Sequence, residues 1–338
     1  MDKEVTEPSS KYSKLYKPQA LLIVAAIYGL CNTIPTFLFN LGFPPMLLVS
    51  IRAALGIITL LIVFRGFLFK TTKKDWKYGL LLGTFNFAQL ACLIYAIKLA
   101  GPVNTALIYS LGIIFIPFVN WIVNKKAPKA TNIIAAFICA GGLYLALMRF
   151  DMQFVFGWGE AIALIASVGY SIYFIMLSKL SKNTEPVRLN FIQILVACVG
   201  ALILFFIIDF SSAQFSTEML NYIWIFIVLG IIGDGFTFLL QTKLQSKVDP
   251  NSGSLYLYTF ALFGVAFSII FGFEVFSWQL IAGAVIMFAG IILAPIIIKI
   301  KERNKKDPPK PEQNQSDNEQ NTPEQEQPID ASISQGEP

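Results

Sequence analysis

The 338-residue chain has no histidine, only 4 cysteines and only 14% charged residues. Without histidine, neither a Ser-His-Asp triad nor a His-ligated zinc site can be assembled from this chain. Cys31, Cys92, Cys139 and Cys198 each stand alone inside apolar runs. That placement matches neither a CxxC metal or redox site nor a secreted disulfide framework, and fits small side chains packed between helices. No GxxxxGK[ST] motif occurs, and the Gly-rich pieces at Gly157 to Gly159 and Gly233 to Gly235 lack the third glycine of a dinucleotide fingerprint. No cofactor is expected, and ATP-driven transport by the chain itself is not. A soluble domain carries about 25% charged residues. Here residues 1–18 hold 7 of the 47 charges and residues 299–338 hold 15, so the middle of the chain cannot supply a water-facing surface.

What fills that middle is a series of apolar stretches of about 20 residues, each long enough to cross a hydrocarbon core of about 30 Å. They fall at about 19–39, 44–64, 76–96, 101–123, 130–148, 155–177, 188–208, 221–242, 252–272 and 277–298. Pro44 and Pro45, Gly101 and Pro102, Pro128, Pro186, and Asp249 and Pro250 punctuate the short linkers. The expectation is an all-α polytopic membrane protein of ten transmembrane helices. Residues 1–18 read as a cytosolic N-terminal arm and not a cleavable signal, because the apolar run that follows is too long for an h-region. Residues 299–338 read as a disordered cytosolic tail, since from Pro311 on Glu, Gln, Asn, Ser and Pro leave almost nothing to bury.

Orientation follows from the basic residues. With the N-terminus and every second loop on the cytosolic side, those segments hold 23 of the 26 Lys and Arg, including Arg65, Lys70, Lys125, Lys179 and Lys243. The opposite loops hold Lys98 and Arg149, and Arg52 lies inside the second stretch. The positive-inside rule puts both termini in the cytosol, which requires an even number of spans. It also accounts for the net charge of +5, so no nucleic-acid partner is inferred. The lipid bilayer is the expected surrounding, as an integral protein of the plasma (cell inner) membrane.

Sliding the chain by 148 residues lays 101–149 on 249–297 with 10 identities in 49 positions, among them Pro102 with Pro250, Phe115 with Phe263 and Gly142 with Gly290. Five helices followed by five is the organisation this implies, and an odd repeat inserts its second copy upside down. Such inverted repeats surround midplane sites in many secondary transporters.

Leu107 to Trp121 with the basic loop after it, and Leu255 to Phe271 followed by Gly272, Phe273, Glu274 and a helix reaching Ala289, Gly290 and Ile291, resemble the two EamA-type repeats of the drug/metabolite transporter superfamily. Arg52 early in the second helix and Gly169 to Tyr173 in the sixth fit the same pattern. The chain departs from it at Ile113, Lys126 and Ala261. The resemblance implies one five-helix repeat over 19–148 and a second over 155–298, and export of amino acids, related metabolites or toxic compounds.

Polar groups inside a membrane are costly and usually face the bundle interior or a wet cavity. Asp234, between Gly233 and Gly235 in the eighth stretch, is the deepest carboxylate and is expected to be an ion, proton or cation site. The repeat offset places Asn86 opposite Asp234 and Gln89 opposite Thr237, and Gln241 extends the second stripe by a turn. Tyr28, Asn32, Thr36 and Asn40 share one face of the first helix. Tyr109, Tyr170, Tyr173, Tyr256 and Tyr258 could hold a cationic or ring-bearing substrate. Arg52 and Glu160 are expected near helix ends, snorkelling or paired with each other. The reading is a carrier of a small-molecule substrate, coupled to a proton or another ion and working by alternating access, and not an enzyme. The alternative is a membrane-embedded enzyme, for which the chain supplies few reagents.

Overall fold

A computed structural model describes residues 18–291 apart from 126, 129, 148–156, 214–216 and 274. The chain divides into two units, Met1–Ile298 and Lys299–Pro338. All the described residues belong to the first. The N-terminal arm up to residue 17, the tail, Arg149 and Lys126 lie outside them.

Among the described residues, eight helical segments are long and apolar enough to cross a membrane: α1 (Leu21–Asn40), α2 (Pro45–Leu68), α3 (Lys73–Ala100), α4 (Asn104–Asn124), α6 (Trp158–Asn183), α7 (Pro186–Asp209), α8 (Thr217–Gln245) and α9 (Pro250–Ile270). Two shorter apolar helices, α5 (Ala130–Ala146) and α10 (Trp278–Ile291), complete the described bundle. Each lies within one of the two remaining stretches, 130–148 and 277–298.

The punctuating residues set the helix ends. Pro45, Pro102, Pro186 and Pro250 each occupy a first helical position, where a missing N–H costs nothing and φ is already helical. Thr72 and Asp75 form a reciprocal capping box at the start of α3. Asp249 accepts from the Ser252 N–H at the start of α9. Gly101 ends α3 at φ 80°, a left-handed turn that lets the chain reverse directly into Pro102.

Within the bundle α3 lies against α6 and α7, α2 against α7 and α8, and α1 against α9. Two contacts join residues separated by the repeat offset: Cys139 Sγ donates to the Met287 carbonyl at 3.5 Å, and Cys198 Sγ to the Ser50 carbonyl at 3.6 Å.

The apolar core is uneven from end to end. One continuous cluster holds Leu21 of α1, Leu177 of α6, Leu189 of α7, Leu244 of α8 and Leu255 of α9 at the end where α1 begins, and extends to Leu143 and Ala146 of α5. At the end where α1 finishes, three separate clusters form: Leu38 with Leu48 and Leu229, Met46 with Ile94 and Phe205, and Ala96 with Ile108 and Ala163. The apolar core is a single cluster at one end and divided among several groups at the other.

Candidate functional site

Between those groups lies a central cavity with about 110 Å³ open to the centres of water molecules, room for several of them. All eight long helices contribute to its wall, through Tyr28 of α1, Arg52 of α2, Asn86 of α3, Tyr109 of α4, Tyr170 of α6, Ile194 of α7, Asp234 of α8 and Phe260 of α9. A second cavity of about 60 Å³ shares Asn32, Leu93, Tyr109 and Phe260 with the first and runs past Thr105 and Ser268 toward the divided end. Asn32 is exposed and stands in both walls.

The centre of the site is an ion pair. Arg52 Nε donates to Asp234 Oδ2 at 2.8 Å and Nη2 to Oδ1 at 2.6 Å, a two-pronged match of planar guanidinium to carboxylate. The side chains are 11% and 16% exposed. Backbone geometry places them. Asp234 sits in the π-helical stretch Val228–Thr237 of α8, the wider winding that often marks functional sites. There α2 and α8 come together at Gly230, where an added Cβ would stand 2.5 Å from Leu55 Cβ and 2.8 Å from the Arg52 carbonyl. Only a residue without a side chain permits that approach.

Around the pair runs a polar and aromatic wall. Tyr109 donates to Gln89 Oε1 at 3.0 Å, and Gln89 Nε2 donates to Asn86 Oδ1 at 3.1 Å. Tyr28 donates to Gln241 Oε1 at 2.6 Å. The rings of Tyr109 and Tyr170 lie 5.5 Å apart, and those of Tyr109 and Phe260 6.0 Å, spacings at which offset aromatic pairs attract.

Seven of the ten residues expected at the site from sequence line this cavity: Asp234, Asn86, Gln89, Gln241, Asn32, Tyr109 and Tyr170. Thr237 is buried and Thr36 half-buried, and neither is on its wall. Tyr258 stands behind the wall, edge-on to Tyr170 at 6.0 Å and 84°.

One expectation is corrected. Arg52 pairs with Asp234 and not with Glu160, whose carboxylate instead accepts from the Gly157 N–H at 2.9 Å and caps its own helix. Asp234 thus meets a cation of α2 across the cavity. The glycines beside Asp234 are closely packed: added Cβ atoms would meet Cys31 Sγ at 3.1 Å from Gly233 and Thr59 Cγ2 at 3.1 Å from Gly235.

The main residue missed by the sequence reading is Arg52. Its signal was present: a lone cation within an apolar span needs a carboxylate at its own depth, and Asp234 is the carboxylate that reading placed deepest. Phe238 and Phe260 carried no such signal, because an apolar ring in an apolar run looks the same facing lipid or cavity.

No curated protein matches the sequence. Solved structures do: one crystal structure, described only as that of a protein, aligns with a TM-score of 0.66 at 17% identity over 84% of this chain and 99% of its own, which speaks to the fold alone. The family model described as the EamA-like transporter family matches residues 19–148 and again 157–295. An apolar helical bundle around a charged internal cavity is the build of a membrane protein that handles small molecules, and with both halves matched the chain belongs to the EamA-like transporter family.

Proposed function

We propose that this protein is a secondary active carrier that moves a small zwitterionic metabolite of the amino-acid type through the central cavity by alternating access. The Arg52–Asp234 pair carries the reading. A zwitterion entering between them places its carboxylate on Arg52 and its ammonium on Asp234, so each buried charge exchanges one partner for another. A solute with one charge satisfies one member of the pair and strands the other, which in a buried pair costs about 3–5 kcal/mol. The tyrosine and phenylalanine wall then receives an apolar or aromatic side group.

Rocking of two five-helix repeats, 19–148 and 155–298, about the cavity is supported by the two family matches and by contacts between residues 148 apart, Cys139 with Met287 and Ser50 with Cys198. Residues related by a two-fold operation touch where its axis passes. The bias of Lys and Arg supports both termini facing the cytosol. Reconstituted protein should carry phenylalanine across liposomes chemically unchanged, with phenylpropionate and phenethylamine competing about a hundredfold less well. Equal competition by either singly charged analogue would overturn the zwitterion assignment, and a new product in the vesicles would overturn the carrier.

A further inference from the structure

At the end of the bundle where α1 begins, polar groups bridge the helices alongside the packed leucines. Below the Arg52–Asp234 pair, Tyr28 of α1 donates to Gln241 Oε1 of α8 at 2.6 Å. Gln241 Nε2 donates to Gln245 Oε1 at 3.1 Å, and Gln245 Nε2 donates to the Phe174 carbonyl of α6 at 3.2 Å. Ser178 of α6 returns a bond to the Gln245 carbonyl at 3.5 Å. This chain ties three helices across the pathway, and Gln241 and Gln245 are 2% and 1% exposed.

A second observation comes from α7, which lies against the closing turns of α8. Asn190, near the start of α7, is 0% exposed, and neither its Oδ1 nor its Nδ2 has a hydrogen-bond partner among the described residues. A buried amide without partners destabilises the state that buries it.

We propose that Tyr28, Gln241, Gln245 and the Phe174 carbonyl form a reversible seal on the transport pathway, and that Asn190 biases the seal toward opening. The inference rests on the carrier reading and identifies positioning residues for it. An all-leucine closure would lose apolar burial on opening with nothing in return. Hydroxyl and amide bonds instead exchange with water at small net cost. Asn190 gains partners when water enters, so opening recovers what closing withheld.

The seal can be read without any substrate. In the full chain with Cys31, Cys92, Cys139 and Cys198 changed to Ser, Asn32→Cys places one thiol on the cavity wall, and an impermeant thiosulfonate is added to either face of reconstituted vesicles. Labelling is expected from one face only. Tyr28→Phe, and separately Gln241→Leu, should raise labelling from the other face about three- to tenfold, the equivalent of one net hydrogen bond. Asn190→Leu should lower it. Tyr95→Phe removes a tyrosine bond of the same kind, to Asp209 Oδ1 at 3.2 Å, at the opposite end, and should leave labelling from the sealed face unchanged. No rise in either seal variant, an equal rise in Tyr95→Phe, or a rise in Asn190→Leu would overturn the proposal. Labelling as expected in vesicles that carry no solute would keep the seal and overturn the carrier reading.

Discussion

Arg52 and Asp234 are stable inside an apolar bundle because each neutralises the other at 2.6–2.8 Å. Asp234→Asn should therefore do more than abolish transport. It leaves a buried guanidinium unmatched, at a cost of about 3 kcal/mol, and the thermal midpoint in detergent should fall. Adding Arg52→Gln removes the stranded charge, so the double variant should recover most of that midpoint while transport stays lost. A double variant as unstable as Asp234→Asn would show that the pair is not the source of the loss. Asn86 is a milder case. It accepts from Gln89 at 3.1 Å and carries no charge, so Asn86→Ala should weaken substrate binding about two- to tenfold, as loss of a neutral hydrogen bond does, with little change in midpoint. A shift in midpoint as large as that of Asp234→Asn would refute this assignment. At this scale residue type and spacing point to Asp234, Asn86 and Gln89, which share the wall of one cavity. They misjudge Arg52, because depth along one helix does not say which helix stands opposite.

The elements are positioned by small residues as much as by large ones. An added Cβ at Gly230 would press on Leu55 and on the Arg52 carbonyl, so Gly230→Ala should push α8 from α2 and separate the ion pair without altering a charge. We expect transport to be lost while the protein still inserts; full activity would show that the helices can part freely. Gly112 of α4 has the same role toward α9, since its added Cβ would overlap the Tyr258 hydroxyl oxygen. Gly112→Ala should cost about 1–3 kcal/mol through overpacking. Tyr258→Phe in the same chain should restore part of it by removing the clashing oxygen, and a thermal melt of both variants tests this. Helix starts were legible because proline and capping residues act locally. The π-helical stretch Val228–Thr237 was not, because its winding depends on the neighbours that hold it.

For the molecule as a whole, the distribution of Lys and Arg makes a prediction that no single helix does. Cysteines placed at 40–46 and 209–220 should react with impermeant reagents in intact cells, and those at 65–75 and 179–187 only after permeabilisation. Labelling of 65–75 in intact cells would reverse the orientation and remove its support for the repeat model. Deleting residues 311–338 should leave transport nearly unchanged, since ordering that apolar-poor segment would cost about 1–2 kcal/mol per residue of backbone entropy. Normal insertion with loss of flux would instead give the tail a role.

The sequence by itself determined that the chain is a membrane-embedded helical protein, where most of its helices lie and which polar types occur within them. Each of these follows from local hydrophobicity, helix-end chemistry and the cost of charge in lipid. The tertiary structure alone decided that Arg52 meets Asp234, that Glu160 turns back to cap its own helix, that Tyr258 stands behind the wall, and that Tyr28, Gln241 and Gln245 join in one hydrogen-bonded chain. In an apolar alphabet every face of a helix looks much alike. The choice of face and partner comes from close packing between helices far apart in the chain, which no local pattern records.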